Sequence, residues 1–429
     1  MGLADSSSAN LSFRDEPTTW GVVTAGAYQE MRIISESLKQ ETRTAESEEV
    51  GSDRLTPDIV RVGADVSGDI VQHLSWGEDD LLKYAQMRNW TAAYDQTATC
   101  SATANGDGTW LLEDDATPAA YNAFIAGGHV RMSGWTFGGS TANNGIWRIL
   151  EVQAGVGLLL DDGDNIAVTS AADAGVRVIH ESLVTANATD TGNTSFSVQK
   201  NFPDSDESSN GTVITMNGFR VDTMALAIES EAIPKVTYGV RGKIAIVGDT
   251  LATGANVAPG TGEVMNAVDH IELYSCAKTS DTGAPYKYAD VKSLTLTMNN
   301  ALRPQPIIGS VSPVGIGRGT QRVTIAMTAY FRDNRVLDDY LGFKKVNVDY
   351  GYNETTPAAT TRTGGMIVCE DTLGNAYVFD IGQAVITKAD TLTPGKDQDI
   401  MVDIEMTAFK RKFNATSSPF QFGISRIVA

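Results

Sequence analysis

Ala64–Met87 reads ADVSGDIVQHLSWGEDDLLKYAQM. Two periods meet in it. Val66, Gly68, Ile70, Gln72, Leu74 and Trp76 alternate with Asp65, Ser67, Asp69, Val71, His73 and Ser75. A period of two is that of a strand with one face in a core and one face wet. Burying Asp65 and Asp69 without partners would cost several kcal/mol, roughly 2–7 per polar group, so the carboxylates mark the wet face. After Trp76 the spacing turns helical: Leu81, Leu82, Ala85 and Gln86 follow an acidic start at Glu78, Asp79 and Asp80. Carboxylates in a first turn complement the helix dipole. The stretch predicts a long strand, a glycine-containing turn and a short helix.

The same pattern recurs in Gln321–Phe343, QRVTIAMTAYFRDNRVLDDYLGF. Val323, Met327 and Phe331 stand where Val66, Ile70 and Leu74 stood, and Asp338-Asp339-Tyr340-Leu341 stands for Asp79-Asp80-Leu81-Leu82. The flanks agree. Ile34, Glu36 and Leu38 are echoed by Leu294, Leu296 and Met298, and Arg43 by Arg303. Downstream, SFSVQ, TMALAI and KVTYGV are answered by YVFDI, QAVIT and IMVDIEM, with Gly218 and Val221 matched to Gly382 and Val385. A repeat of this length indicates one β-sandwich domain written twice.

The second repeat has no counterpart for residues 92–192. That segment carries strand-sized runs (Val130-Arg-Met-Ser-Gly, Gly145-Ile-Trp-Arg-Ile-Leu, Gly155-Val-Gly-Leu-Leu-Leu) between turn residues. It reads as a small β-barrel-like domain inserted in a loop, where little backbone bonding is broken. The expected fold class is therefore mainly β: two tandem sandwich domains, each with a short flanking helix, plus an inserted small β-domain. The divisions are an N-terminal arm at 1–20, a first repeat at 21–91 and 193–247, the insertion at 92–192, a connector at 248–285 and a second repeat at 286–429. The arm is expected to be loose until something packs on it. One strand is expected in the connector at His270–Cys276, and a closing strand at Phe420, Phe422 and Ile424.

The 429 residues include 41 Gly, which favours many short strands joined by turns. A net charge of −20 argues against a phosphate-binding surface, which needs clustered Lys and Arg. No apolar run is long enough to cross a membrane, and the first residues lack a signal-peptide pattern. Cys100, Cys276 and Cys369 are odd in number and read as buried thiols.

Catalytic and metal motifs are weak. Asp161-Asp-Gly-Asp-Asn is carboxylate-rich but lacks the closing glutamate of a calcium loop and reads as a solvated turn. Gly315-Ile-Gly-Arg-Gly lacks the strand before and the Lys-Ser/Thr after that a phosphate loop needs. His73, His129, His180 and His270 share no ligand spacing. No enzyme, no metal and no cofactor is expected from these residues.

Taken in order, ISESLKQ, SEEVGSDR (Ser47–Arg54), DIVRVGADVSGDI (Asp58–Ile70) and LSWGEDDLL (Leu74–Leu82) resemble the tail tube (major tail) proteins of long-tailed bacteriophages. Met265-Asn-Ala-Val, LTLTMNNALR (Leu294–Arg303), Ile316-Gly-Arg-Gly-Thr and Asp397-Gln-Asp-Ile-Met-Val extend the resemblance to most of the chain outside 92–192. It implies the branch of that family whose subunit carries the tube domain twice. The expectation is then a structural virion protein, assembled in the host cytoplasm, that polymerises as stacked rings into a non-contractile tail tube. A decoration or receptor-binding virion protein is the alternative.

Implied partners are other copies of the chain in trimeric rings stacked head to tail, the tape-measure protein, and the tail tip and tail terminator proteins. Genomic double-stranded DNA is expected to pass through the lumen without specific binding. The wet faces of the two key strands then become lumen-facing candidates: Asp65, Ser67, Asp69 and His73 with Arg322, Thr324, Thr328 and Tyr330, joined by Asp403 and Glu405 from a late strand. The lumen is expected to be polar and on balance acidic, and the insertion to face outward.

Overall fold

The computed structural model describes residues 9–16, 19–22, 26–49, 58–78, 80–106, 109–136, 142–161, 167–184, 195–203, 211–248, 256–265, 271–274, 290–331, 362–392, 396, 398–410 and 420–429. The helix expected at Asp338–Leu341 and Cys276 lie outside them.

The quoted stretch forms the strand Ile59–His73 and the helix Asp80–Gln86. Val66, Ile70 and Leu74 are buried, while Asp65, Ser67 and Asp69 are not. The helix buries Leu81, Leu82, Tyr84 and Ala85 and stops at Met87, which takes a left-handed φ of 54°. Its Tyr84 ring lies on Phe196 with centroids 4.4 Å apart. Each such apolar side chain contributes about 1.5–3 kcal/mol by leaving water.

The inner layer is one antiparallel sheet that runs through both repeats. From the first repeat come Lys39–Glu46, Ile59–His73, Lys235–Gly242 and the second half of Thr212–Glu229. From the second come Val291–Asn299, Arg322–Tyr330, Met401–Ala408 and the second half of Ala376–Leu392. The two quartets are joined where Thr223–Glu229 pairs with Ser293–Asn299, with Leu226 opposite Leu296.

The outer layer is separate in each repeat. Asn10–Asp15, Phe196–Phe202, Ile244–Gly248 and the first half of Thr212–Glu229 form one. Ile271–Tyr274, Arg362–Glu370, Phe422–Ile427, Ser182–Val184 and the first half of Ala376–Leu392 form the other. The long strands Thr212–Glu229 and Ala376–Leu392 thus pass from outer to inner layer. In the first, the crossing falls at Gly218 (φ +73°), where a Cβ would meet Trp20 and Lys243. The core fills the space between layers and is continuous across both repeats.

Four local expectations are corrected. The arm is not loose over its described strand: Asn10–Asp15 pairs with Phe196–Asn201 and buries Leu11 and Phe13, whose alternation is short but sufficient. Ile34 is exposed. The strand register sets Glu36 and Leu38, not Ile34 and Glu36, in the places of Leu294 and Leu296. The early strand is also broken at Ser37–Leu38, because the extended chain at Gly68 runs so close that a Cβ there would meet the Ser37 carbonyl at 2.5 Å.

Phe331, expected in the core, is 38% exposed. Its counterpart Leu74 is roofed by the connector, whose Met265 donates its N–H to the Leu74 carbonyl at 2.8 Å. Phe331 lies one residue past its strand, bonded to Ile400. Finally, Val221 corresponds to Ile386 rather than Val385. Both long strands carry a bulge at this point, between Val221 and Thr223 and between Ile386 and Lys388, opposite equivalent residues of their partners.

The insertion is a closed six-stranded barrel of Tyr94–Ala104, Thr109–Asp114, His129–Ser133, Gly145–Gln153, Gly157–Asp161 and Ser170–His180. Trp110 and Trp147 meet edge to face in its core, 5.0 Å apart. Ser182–Val184, just beyond the barrel, belongs to the outer layer of the second repeat.

Candidate functional interface

The wet face of the inner sheet is set by alternation. Buried residues at every second position force their neighbours to the other side. The candidates from the sequence all stand there. Asp65, Ser67 and His73 are half-buried and Asp69 is exposed; Thr324, Thr328 and Asp403 are half-buried; Arg322, Tyr330 and Glu405 are exposed. Strand pairing brings the candidates of each repeat together. Thr328 stands opposite Asp403 and donates its hydroxyl to Oδ1 at 2.8 Å. Asp65 stands opposite Glu41 and pairs with Arg43 at 2.8 Å. The two groups lie on one continuous sheet, with the joint strands between them.

Alternation in the neighbouring strands adds residues that the sequence reading did not select. Lys39, Arg43, Lys235, Arg241 and Lys388 join the face, with Glu41 and Asp390. The carboxylates are interleaved with cations: Arg241 Nε lies 2.7 Å from Asp222, and Lys388 Nζ lies 3.6 Å from Asp390 and 3.9 Å from Glu405. The face is polar and mixed in charge. The full net charge of −20 is carried largely elsewhere. The signal for the missed cations was present, since each sits two residues from another wet-face position on its strand.

The two ends of this sheet differ. At the end where Ile59–His73 finishes lie the exposed Ile34, Ile233, Phe331 and Ile400. At the other end the hairpin of Lys39–Glu46 and Ile59–Val62 extends past the neighbouring strands, with Val60 and Val62 exposed. Beside it the Ile307–Val314 loop is tied down by the Ala64 N–H, which donates to Val311 at 3.0 Å.

The barrel is held on the opposite side of the molecule from the wet face, against the outer layer of the second repeat. Ile179 and Ile146 pack on Val368, Val378 and Ile427. Arg148 reaches Asp380 with both Nε and Nη2, and its Nη1 lies 3.0 Å from Asp161. His129 Nε2 is 3.2 Å from Asp380 Oδ2. Burial alone raises the Asp380 pKa, but Arg148 and His129 more than offset it and hold the carboxyl well below the ordinary range. Arg131 adds a half-buried pair to Glu370 at 2.9 Å.

Of the carboxylate-rich run, Asp161 alone falls among the described residues. Asp161 is engaged by Arg148. The Gly315–Gly317 run pairs with Arg303–Gln305 as a short hairpin. Cys100 and Cys369 are buried and free, and burial pushes their thiols up to about 11 and about 12. Among the described residues no three His, Cys, Asp or Glu side chains converge as a metal site, and no helix is long and apolar enough to cross a membrane.

A search of curated proteins gives no match. The family model described as phage tail tube protein matches residues 6–408, nearly the whole chain. The chain, a mainly β structure with a duplicated two-layer domain, belongs to the phage tail tube protein family and is a structural component of the virion tail.

Proposed function

We propose that the chain polymerises as rings stacked head to tail into a tube through which double-stranded DNA passes at infection. The observation that carries this is the continuous inner sheet. Four strands of one repeat join four of the next with no break in the ladder, so repeat-to-repeat pairing is a contact this fold already makes. Repetition of that contact from chain to chain closes a ring and removes the sheet edges that would otherwise aggregate.

The size fits three chains. Three inner sheets supply ~24 strands, and a barrel of ~24 strands at ~4.8 Å spacing and ~45° tilt has a backbone diameter of roughly 50 Å. Side chains leave room for a duplex ~20 Å across. Six chains would leave a pore roughly 100 Å wide. The wet face lines the lumen, and interleaved charges with no cationic stripe let DNA pass without being held. The exposed apolar residues at the two ends of the sheet provide unlike surfaces for a head-to-tail stack, which builds an open filament. The barrel, on the far side of the second repeat, faces outward. The tape-measure protein, the tail tip and the tail terminator are the further partners of such a tube, which assembles in the host cytoplasm.

Electron microscopy of the purified protein tests the reading. Rings or tubes with three chains per ring, seen in cross-section or by mass of a released ring, are expected. Dispersed monomers at all concentrations would favour a decoration or receptor-binding role, and six-chain rings would overturn the stoichiometry.

A further inference from the structure

Two edges of the inner sheet have no strand beside them among the described residues. One is Lys39–Thr42, paired only with Ile59–His73. The other is Thr387–Asp390, paired only with Met401–Ala408. Within the chain, the equivalents of these edges are already joined, and the bulges fix the equivalence. Val221 and Thr223 match Ile386 and Lys388. Glu36 pairs with Ile70 as Leu294 pairs with Met327, so Leu296 matches Leu38 and Asn299 matches Glu41. The internal joint sets Thr223 opposite Asn299 and Ala225 opposite Thr297. Carried over, that register sets Lys388 opposite Glu41, and Asp390 opposite Lys39.

We infer that these two edges are the halves of the joint between neighbouring chains of the ring, in a register that pairs Lys388 with Glu41, and Asp390 with Lys39, of the next copy. The inference rests on the ring reading above and assigns its contact.

Three observations agree with the transfer. The charges are complementary at both positions, although the register was fixed by bulges and not by charge. The backbone polarity is right as well. At the internal joint Asn300 donates its N–H to the Asp222 carbonyl and Ser230 to Lys292, so even-numbered groups of that strand point at the joint. In the early strand, Ser37 donates toward Asp69. Its even-numbered groups, Gln40 and Thr42, therefore point away from Ile59–His73 and toward the open side. Lastly, all four side chains are exposed. Lys39 is paired with Glu41 two residues along its own strand at 2.5 Å, and Lys388 with Asp390 at 3.6 Å and, across to the next strand, with Glu405 at 3.9 Å. Such neighbours two apart on one strand exchange readily for partners directly opposite on an adjacent strand. The wrong register would set Lys388 against Lys39, or Asp390 against Glu41. The pattern thus selects one alignment as well as one partner.

The test exchanges the charges without changing the composition. Lys388→Asp with Asp390→Lys puts like charges opposite each other at both positions, and the protein concentration needed for tubes should rise about tenfold or more. Lys39→Glu with Glu41→Lys should do the same. All four substitutions together should bring assembly back to within about twofold of wild type, a rescue that a merely folding defect would not show. In a second measurement, Lys388→Cys with Glu41→Cys should oxidise to covalent trimers in assembled tubes, while Asp390→Cys with Glu41→Cys, out of register, should not. Wild-type rings that ignore the single-edge exchanges, or fail to recover in the fourfold variant, overturn the register. Failure of the wild-type chain to form rings overturns the ring reading itself.

Discussion

Arg148, on the inserted barrel, donates from Nε to Asp380 Oδ2 at 2.5 Å, and Asp380 belongs to the long strand of the second repeat. The barrel is inserted into the first repeat yet locked to the second. The pair is almost wholly buried, with His129 against the same carboxylate and Ser425 against the His129 ring at 3.0 Å.

Removing one partner should therefore be costly. Asp380→Ala strips the buried Arg148 guanidinium of the carboxylate that accepts from both its Nε and its Nη2. A loss of about 3–5 kcal/mol is expected, against a much smaller change when Arg148→Met and Asp380→Leu are combined. Denaturant midpoints for the single and double variants check this. A double-variant loss equal to the sum of the separate Arg148→Met and Asp380→Leu losses would mean that the pair is not coupled.

Acid should loosen the same contact in two stages. His180 stacks on Phe124 and donates Nδ1–H to the His129 carbonyl at 2.7 Å. Burial lowers its pKa to about 4, with the His129 carbonyl bond opposing. The unfolded chain takes up that proton near 6.5, so stability falls as pH drops from about 6.5 to about 4, on the order of 3 kcal/mol, and then levels. Asp380 acts lower down. Its folded pKa is depressed, so its contribution is intact above about 3.9 and is lost as pH falls further. His180→Gln should flatten the decline between pH 6.5 and 4 and leave the steeper loss below it. An unchanged slope in that variant would show that another group titrates there.

The strands, the duplication, the helix and the existence of the insertion were legible because each rests on local periodicity. Val66, Ile70, Val323 and Met327 alternate strictly, and alternation alone places Asp65 and Asp403 on the wet face. What was not legible depends on distant parts of the chain. Nothing near residue 148 says that its partner is residue 380. The only trace is a charge inside each apolar run, Arg in GIWRIL and Asp in YVFDI. Gly218 and Gly382 invited alignment because glycines look alike, yet the bulges place Gly382 one residue out of step. Phe331 has the right phase but, among the described residues, lacks the roof that Leu74 receives from Met265.

Deleting the barrel tests its outward placement, and the docking dictates how. Thr91 donates its N–H to the Ser182 carbonyl at 3.0 Å, so the entry and exit of the barrel already touch. A short Gly/Ser link between Thr91 and Ser182 preserves the Ser182–Val184 strand. Asp380 must be changed as well, since a buried carboxylate stripped of Arg148 and His129 would destabilise the wall by itself. With Asp380→Asn, the shortened chain should fold and still form tubes of wild-type inner diameter but smaller outer diameter. Folded chains that form no tubes would place the barrel in the wall.

Charge on the wet face should govern how DNA moves past it. Asp69 and Glu405 are exposed on that face, one in each repeat, and no arginine or lysine pairs with Asp69 among the described residues. Asp69→Lys replaces one carboxylate by an ammonium group in every chain without touching the core or Lys388, so folding and assembly should be retained. Repeated up the tube, the new cations form rings that meet phosphate at every level. Each neutralised phosphate releases counterions, and affinity then falls with salt with a log–log slope of about −0.9 per contact. Virions carrying the variant should eject their genome more slowly than wild type at low salt and approach the wild-type rate as salt rises. Ejection followed by an intercalating dye across a salt series reads both effects. Identical kinetics in variant and wild type at low salt would mean that this face does not line the path of the DNA.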